Sequence, residues 1–562
     1  KSDGSEAKPE DIKNIEQKLD LWTGIITSKF EFEGKSVLVK TCVHPETDLL
    51  AISVDSELIS SGKLAVKIEF PYGSPAMHAA DWNSPSKHST RFVPKSANGG
   101  QFLRQLDEDK YFVGLSIIGK NELQAEKDHL FILKSSNEIL NFAVSFSQNP
   151  KEILPNSLST FATSEKFWKN FWTNGAAVDL SETKDSRAHE LERRIVLSQY
   201  LTAINCSGSL PPQETGLTTN SWYGKYHLEM HWWHAAQFAL WNRLPMLEKS
   251  LDWYLKVLPS ARERAKQQGY DGVRWAKMTA PDGRDSPSPI GPLLIWQQPH
   301  PIFYAELVYL TKPTKTTLKK FQQIVEETAK FMADFAVFDT KTNRYILGPP
   351  VIPAQENHPS KETWNPTYEL EYWRYGLNKA NEWRERLGLK REAKWDEVVQ
   401  KLSKLPEKDG VYLAHENCPQ TFTERNIDHP SMLAAFGVLN GEMVDKETMR
   451  RTLKKVMKEW KWEDTWGWDY PMTAMTAAKL GETEIAIDAL LLDTPKNHYE
   501  KNGHNYQRPN LPLYLPGNGG LLYAIAMMAG GWQNSPKGIA PGFPKNWKVK
   551  AENLNLQVLK EI

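Results

Sequence analysis

Only three cysteines, Cys42, Cys206 and Cys418, stand in the 562 residues. They are odd in number and far apart, so neither a disulfide framework nor a zinc-binding spacing can be read from them. An excess of one charge is missing too, with 69 Lys and Arg against 69 Asp and Glu. No basic run interleaved with aromatics accompanies that balance. This excludes a nucleic-acid or anionic-membrane partner, since both require a positive field. Apolar runs long enough to span a bilayer, about 18 residues or more, are absent as well. The chain begins KSDGSEAKPED, polar and charged, as a mature chain does once its signal has been removed. A secreted or periplasmic location, as a monomer or homodimer, is expected.

What the chain does have is length and tryptophan. At 562 residues it exceeds one ordinary core, so at least two packed units are expected. There are 21 Trp and 19 Tyr. A large ring with a polar tip suits the flat C–H faces and hydroxyl edges of a sugar, although large helical cores also use Trp.

Two regimes of hydrophobic patterning divide the chain. Val37–Val43, Leu49–Val54, Leu64–Phe70, Tyr111–Ile118, His129–Leu133 and Phe142–Phe146 are short, rich in Val, Ile and Phe, and separated by turn residues. Many short strands without intervening helices indicate an antiparallel β-sandwich over 1–165, with an exit near 150–156 and a linker over 166–190. From about Ser186 the period becomes 3.6, beginning with Leu191, Ile195, Tyr200 and Ile204. Helical patterns then recur, separated by long loops carrying Trp, His, Asp and Glu, and such loops are usually functional. A catalytic domain of paired helices, an (α/α)6 barrel, is expected over 191–532. Alternation through Trp547, Val549, Leu554, Leu556 and Val558 gives a short β segment over 533–562.

Four segments carry chemistry. GPPVIPAQENHPSKETWNPTYELEYW, Gly348 to Trp373, brackets Glu356 with prolines, each fixing φ near −65°. A stiff loop places a carboxyl as a general acid requires, and Ile352 and Pro353 offer apolar surroundings that favour a retained proton. A solvated Glu on a structural loop is the rival reading. WYGKYHLEMHWWHAAQFALW, Trp222 to Trp241, places Glu229 and His231 beside Trp232 and Trp233. Its histidine spacing is not that of a zincin, so a carboxylate gripping sugar hydroxyls is the better reading. WKWEDTWGWDYPMTAMTAAKLG, Trp460 to Gly481, sets Glu463 and Asp469 among Trp466, Trp468 and their neighbours, just before a helix. Asp469 then stands near an N-cap, where the helix dipole favours its ionised form. NGHNYQRPNLPLYLPGNGGLLYAIAMM, Asn502 to Met528, offers Asn518 to a hydroxyl-rich pocket and lacks the Lys-Ser/Thr end of a phosphate loop. Trp275, Lys277, Gln298 and His300 lie on two further loops.

These segments resemble the six-hairpin glycosidases, and within them glycoside hydrolase family sixty-five, which contains maltose, kojibiose and trehalose phosphorylases and related hydrolases. PAQENH is similar to that family's Gly-Pro-Asp-Glu-Tyr-His, whose Glu is the catalytic acid, and this implies the same role for Glu356. YGKYHLEMHWWH lies where the family has a Trp-Asp-Thr-Glu segment, which puts Glu229 in place of a sugar-binding Asp. LPSARERAKQQGYDGVRW is similar to the helix and loop before the family's sugar-binding Trp. The family's phosphate-binding hydroxyl segment is matched by TWGWDYP. An Asp there implies hydrolysis rather than phosphorolysis. GNGGLLYAIAMM also resembles the end of the six-hairpin α-L-fucosidases, with Pro516 replacing their catalytic Asp.

The resulting expectation is an inverting hydrolase of an oligosaccharide or glycoside, of α-glucoside type, that needs no metal or cofactor. Glu356 gives a proton and Asp469, or Glu463 behind it, activates water, with the two carboxyls ~6.5–9.5 Å apart. Glu229, His231, Trp275, Lys277, Gln298, His300 and Asn518 hold the sugar, and Trp232, Trp233, Trp466 and Trp468 form the wall. A phosphorylase and a non-catalytic carbohydrate-binding protein are the alternatives.

Overall fold

A computed structural model describes residues 1–96, 98–151 and 155–562. Much of the expected exit at 150–156 falls outside the described residues. Two compact units are present, Lys1–Asn174 and Gly175–Ile562.

The first unit is built from antiparallel strands: β1 (Ile12–Asp20), β2 (Ile25–Phe32), β3 (Lys35–Val43), β4 (Leu49–Asp55), β5 (Val66–Glu69), β6 (Tyr72–Gly73), β7 (Ala80–Asp81), β8 (His88–Ser96), β9 (Gly99–Leu106), β10 (Asp109–Ile118), β11 (Asn121–Lys127), β12 (Leu130–Ser135) and β13 (Ile139–Ser147). An eight-stranded sheet runs β1-β2-β3-β4-β13-β10-β9-β8, and a three-stranded sheet runs β11-β12-β5. Residues from both sheets share one core, with Val37, Val54, Val113, Leu115 and Phe142 from the larger and Phe131 and Leu133 from the smaller. Period-two alternation produces this, as Val113, Leu115 and Ile117 all turn inward from one strand. The β2–β3 hairpin turns on Glu33 and Gly34, both at positive φ, the two-residue turn whose twist matches the flanking strands.

Strands β1, β2, β6, β7, β8, β9 and β11 were not expected. Strand β1, IKNIEQKLD, has no buried residue, so no apolar alternation marks it; its backbone pairing with β2 makes it a strand.

The expected linker over 166–190 is instead mostly regular structure. Helix Ser157–Asn174 fills its first third, and strand Ala177–Asp179 and the start of helix Ala188–Cys206 follow. The helix forms because Thr160, Ser164, Trp168 and Phe171 recur on one buried face.

The second unit is helical. Its longest helix, Lys315–Phe335, begins at the Thr314 side chain, which accepts the Thr317 N–H. It buries Leu318, Phe321, Ile324, Val325, Thr328, Phe331 and Met332 at helical spacing. Helix Leu515–Gly530 is buried all round up to Ala529. Two helices missed by the reading of the pattern, Leu258–Gln267 and Ala393–Lys401, bury only three residues each.

The C-terminal β segment is corrected. Only Lys550–Glu552 is a strand, and it pairs with Ala177–Asp179. Leu556–Glu561 is a helix capped by the Asn555 side chain. Leu556 and Leu559 both turn toward Gly530 at i, i+3 spacing, which alternation conceals.

Among the described residues no helix is long and apolar enough to cross a membrane.

Candidate active site

A small two-stranded ribbon, Tyr226–His227 against Met278–Thr279, begins the site. The Leu228 N–H donates to the Lys277 carbonyl, 3.0 Å. This brings Lys277 beside Glu229, which stands in the first turn of helix Leu228–Ala235. Lys277 Nζ lies 3.3 Å from Glu229 Oε1 and ion-pairs with Glu356 Oε1. Burial alone would lower the Lys277 pKa, but Glu229 and Glu356 outweigh it and hold the ammonium above the ordinary lysine value. Burial raises Glu229 well above the usual carboxylate range. A third acid belongs here: Glu214, lifted to about 7 by burial, accepts the Trp222 indole N–H at 2.6 Å.

Glu356 reaches this centre on a loop pinned at both ends. The Ala354 N–H donates to buried Glu369, 2.6 Å. Gln355 Nε2 donates to the carbonyls of Arg425 and Ile427. The Glu356 N–H donates to Asp428 Oδ2, 3.1 Å. Prolines therefore have help: the loop is also tied to a second loop carrying Asp428 and His429. The apolar surroundings expected for Glu356 are not what its carboxylate meets, since its partner is the Lys277 ammonium.

The third piece is a buried ion pair. Asp469, fully buried at the start of helix Asp469–Lys479, holds His429 Nδ1 with both oxygens, at 2.8 and 3.1 Å, and accepts the Trp466 N–H. Burial raises Asp469 to about 6 despite His429. Burial alone would lower His429, but Asp469 and Asp428 outweigh it and lift it to about 9. The pair is therefore charged at neutral pH. Asp428 Oδ1 lies 3.4 Å from His429 Nε2 without a hydrogen bond aligned to it.

The expected base is thereby corrected. Asp469 has no exposed surface and its oxygens are occupied, so it orients His429. Glu463 is exposed on a short turn, Trp462–Asp464. Asp428, with its side chain 17% exposed, and Glu356, 27% exposed, are the accessible carboxylates.

Most of the residues expected to grip sugar are core instead. His231 spends its two ring nitrogens on Tyr254 and Ser250. Trp275 donates to Thr328. Gln298 bridges Trp275 N and Val273 O. His300 joins Tyr372 to the Glu229 carbonyl, supporting Glu229 from behind. Asn518 donates to Ser198 and Gly503 and accepts from Asn505. Trp232 and Trp233 are buried edge to face. Trp468 is buried between Trp233, Trp296 and His429, with ring centroids 4.7, 5.7 and 4.1 Å away. Trp466 alone of the expected wall is partly exposed, with Lys496 and Arg508 facing its ring.

Glu214, Asp428 and His429 were missed. Ile-Asp-His-Pro, before a short helix, offers a signal in its adjacent Asp and His, but no periodicity leads to it. Among the described residues, one further group could hold a metal: His358, His415 and Cys418, all buried.

No protein-family profile matches the chain. A kojibiose hydrolase from Flavobacterium johnsoniae is 23% identical over 412 residues, covering 68% of this chain and 55% of the relative. The chain thus spans about half the length of that curated relative. A solved structure, a putative kojibiose phosphorylase from the human microbiome, superposes with a TM-score of 0.69 at 11% identity, covering 96% of this chain and 80% of the other. The chain has that phosphorylase's fold. The hydrolase and the phosphorylase are both named for kojibiose, in keeping with the resemblance to glycoside hydrolase family sixty-five. A family GH92 α-mannosidase from Bacteroides thetaiotaomicron, bound to mannoimidazole, superposes with a TM-score of only 0.47 at 10% identity, covering 95% of this chain and 72% of that one.

Proposed function

We propose that this chain is an inverting glycoside hydrolase acting on an α-glucoside or related α-glycoside, and that its helical unit is an (α/α)6 barrel with the site at one end. Glu356 is the proton donor. It is a partly exposed carboxyl on a loop tied down through Gln355, Ala354 and its own amide, as positioned acid catalysis requires. Asp428 takes the water-activating place expected of Asp469, because its side chain is partly exposed and it lies beside Glu356, whose N–H it accepts. The His429–Asp469 pair lies behind it, with His429 Nε2 3.4 Å from Asp428 Oδ1.

A sugar ligand is supported by polar atoms left over in this neighbourhood. Glu229 Oε2, Asp428 Oδ1 and the indole N–H groups of Trp296 and Trp468 are buried without a partner. Buried polar groups normally have partners, and sugar hydroxyls both donate and accept. The observation that carries the proposal is the meeting of Glu229, Lys277, Glu356 and Asp428. Incubation with α-linked disaccharides, with product anomers followed by NMR, tests it. The inverted anomer is expected; the retained anomer would contradict single displacement.

A second reading, phosphorolysis, has its own support. Asp469 is neutralised by His429, so it does not repel phosphate as its sequence position implied, and Lys496 and Arg508 stand beside Trp466. Turnover in phosphate-free buffer separates the two readings.

A further inference from the structure

His358, His415 and Cys418 form a second cluster, only 4%, 3% and 2% exposed. One donor atom from each lies within 4.8 Å of the others. His415 Nε2 and His358 Nδ1 are 3.2 Å apart. Two nitrogens on one tetrahedral zinc, each ~2.0–2.1 Å from it, stand ~3.4 Å apart.

The local sequence explains the convergence. His415 and Cys418 flank a turn closed by the Cys418 N–H donating to the His415 carbonyl, 3.0 Å. The Thr421 hydroxyl donates to the Cys418 carbonyl, 2.7 Å, and holds the same turn from its other side. Neutral imidazoles and a thiolate are the forms that ligate metal, so coordination releases the Cys418 proton.

Hydrogen bonding accounts for the contact between the two imidazoles but leaves one ring donor without a partner. The Asn417 N–H donates to His415 Nδ1, 3.2 Å, which places the ring proton on Nε2, pointing at His358 Nδ1. The His358 proton then sits on Nε2, which is buried with no partner. Coordination through His415 Nε2 moves its proton to Nδ1 and opens the Asn417 contact.

We infer that His358, His415 and Cys418 bind a zinc ion that staples the loop carrying Glu356 to the loop carrying Asp428. One thiolate and two imidazoles suit zinc and not the hard cations magnesium or calcium. His358 is two residues from Glu356 in the chain, and His415 and Cys418 begin the segment that ends in Asp428 and His429. Those loops are already joined by the Arg425 guanidinium on the Asn357 carbonyl, 2.7 Å. The inference stands whether or not Glu356 is the proton donor.

The test uses the full chain, purified without chelator or polyhistidine tag, and measures metal by plasma mass spectrometry. About one zinc per chain is expected. After chelation, added Co²⁺ should give the intense visible bands of a tetrahedral site and a near-ultraviolet thiolate-to-cobalt band. Cys418→Ser should lose the second. If that variant does not fold, the wild-type cobalt spectrum decides alone. Zinc below about a tenth of an equivalent, together with only the weak spectrum of octahedral cobalt, overturns the inference.

Discussion

His429 Nδ1 lies 2.8 Å from Asp469 Oδ1, with neither side chain open to solvent beyond a few per cent, and this pair decides what Asp469 can do. A carboxylate so engaged orients an imidazolium; it does not reach a water. Its neutral replacement leaves a buried imidazolium without its partner. Asp469→Asn is therefore expected to destabilise the protein by about 3–5 kcal/mol, read in chemical denaturation, the usual consequence of breaking a buried pair from one side. A loss below ~1 kcal/mol would show that the pair is not charged.

The same pair sets a pH dependence. His429 is raised from 6.5 to about 9. A raised histidine contributes stability that is complete below its unfolded pKa and is lost as pH rises through its folded one. The melting temperature should fall between about pH 6.5 and about pH 9, more in the wild type than in His429→Gln. Equal pH profiles for the two proteins would contradict this.

Lys277→Met should be among the most harmful single changes. It leaves the buried acid Glu229 and the partly exposed Glu356 facing each other without a cation, with Glu214 nearby. About 3–5 kcal/mol of stability is expected to go, measured by denaturant unfolding at pH 7.

Gly519→Ala tests the helix packing beneath the site. A Cβ there would overlap the Trp233 carbonyl oxygen, which is backbone and cannot turn aside. A loss of about 1–3 kcal/mol is expected in thermal unfolding. An unchanged melting temperature would mean that the two helices approach less closely.

The sequence made some of this legible and concealed the rest for identifiable reasons. Strands such as β10 were visible because Val113, Leu115 and Ile117 alternate inward; β1 was not, because pairing rather than burial makes it a strand. Glu229 and Glu356 were identified from local chemistry and Lys277 only as one polar residue of a loop, and their meeting depends on the ribbon that places Lys277 beside Glu229. His300 and Gln298 were polar residues on a loop, and a polar residue satisfied by backbone reads in sequence like one that awaits a ligand. Asp428 lies in a stretch without periodicity, and only its hydrogen bond with the Glu356 amide brings it into the site. His358 is 57 residues from His415, so no metal spacing appears in the chain.

Glu356 as proton donor is the central claim, and leaving-group dependence measures it most directly. Turnover of an α-linked disaccharide and of the matching 2,4-dinitrophenyl glycoside should be compared for wild type and Glu356→Gln. The disaccharide rate is expected to fall by at least ~10², while the dinitrophenyl substrate, whose leaving group needs no proton, keeps most of its rate. Wild-type turnover of the disaccharide by Glu356→Gln would contradict the account.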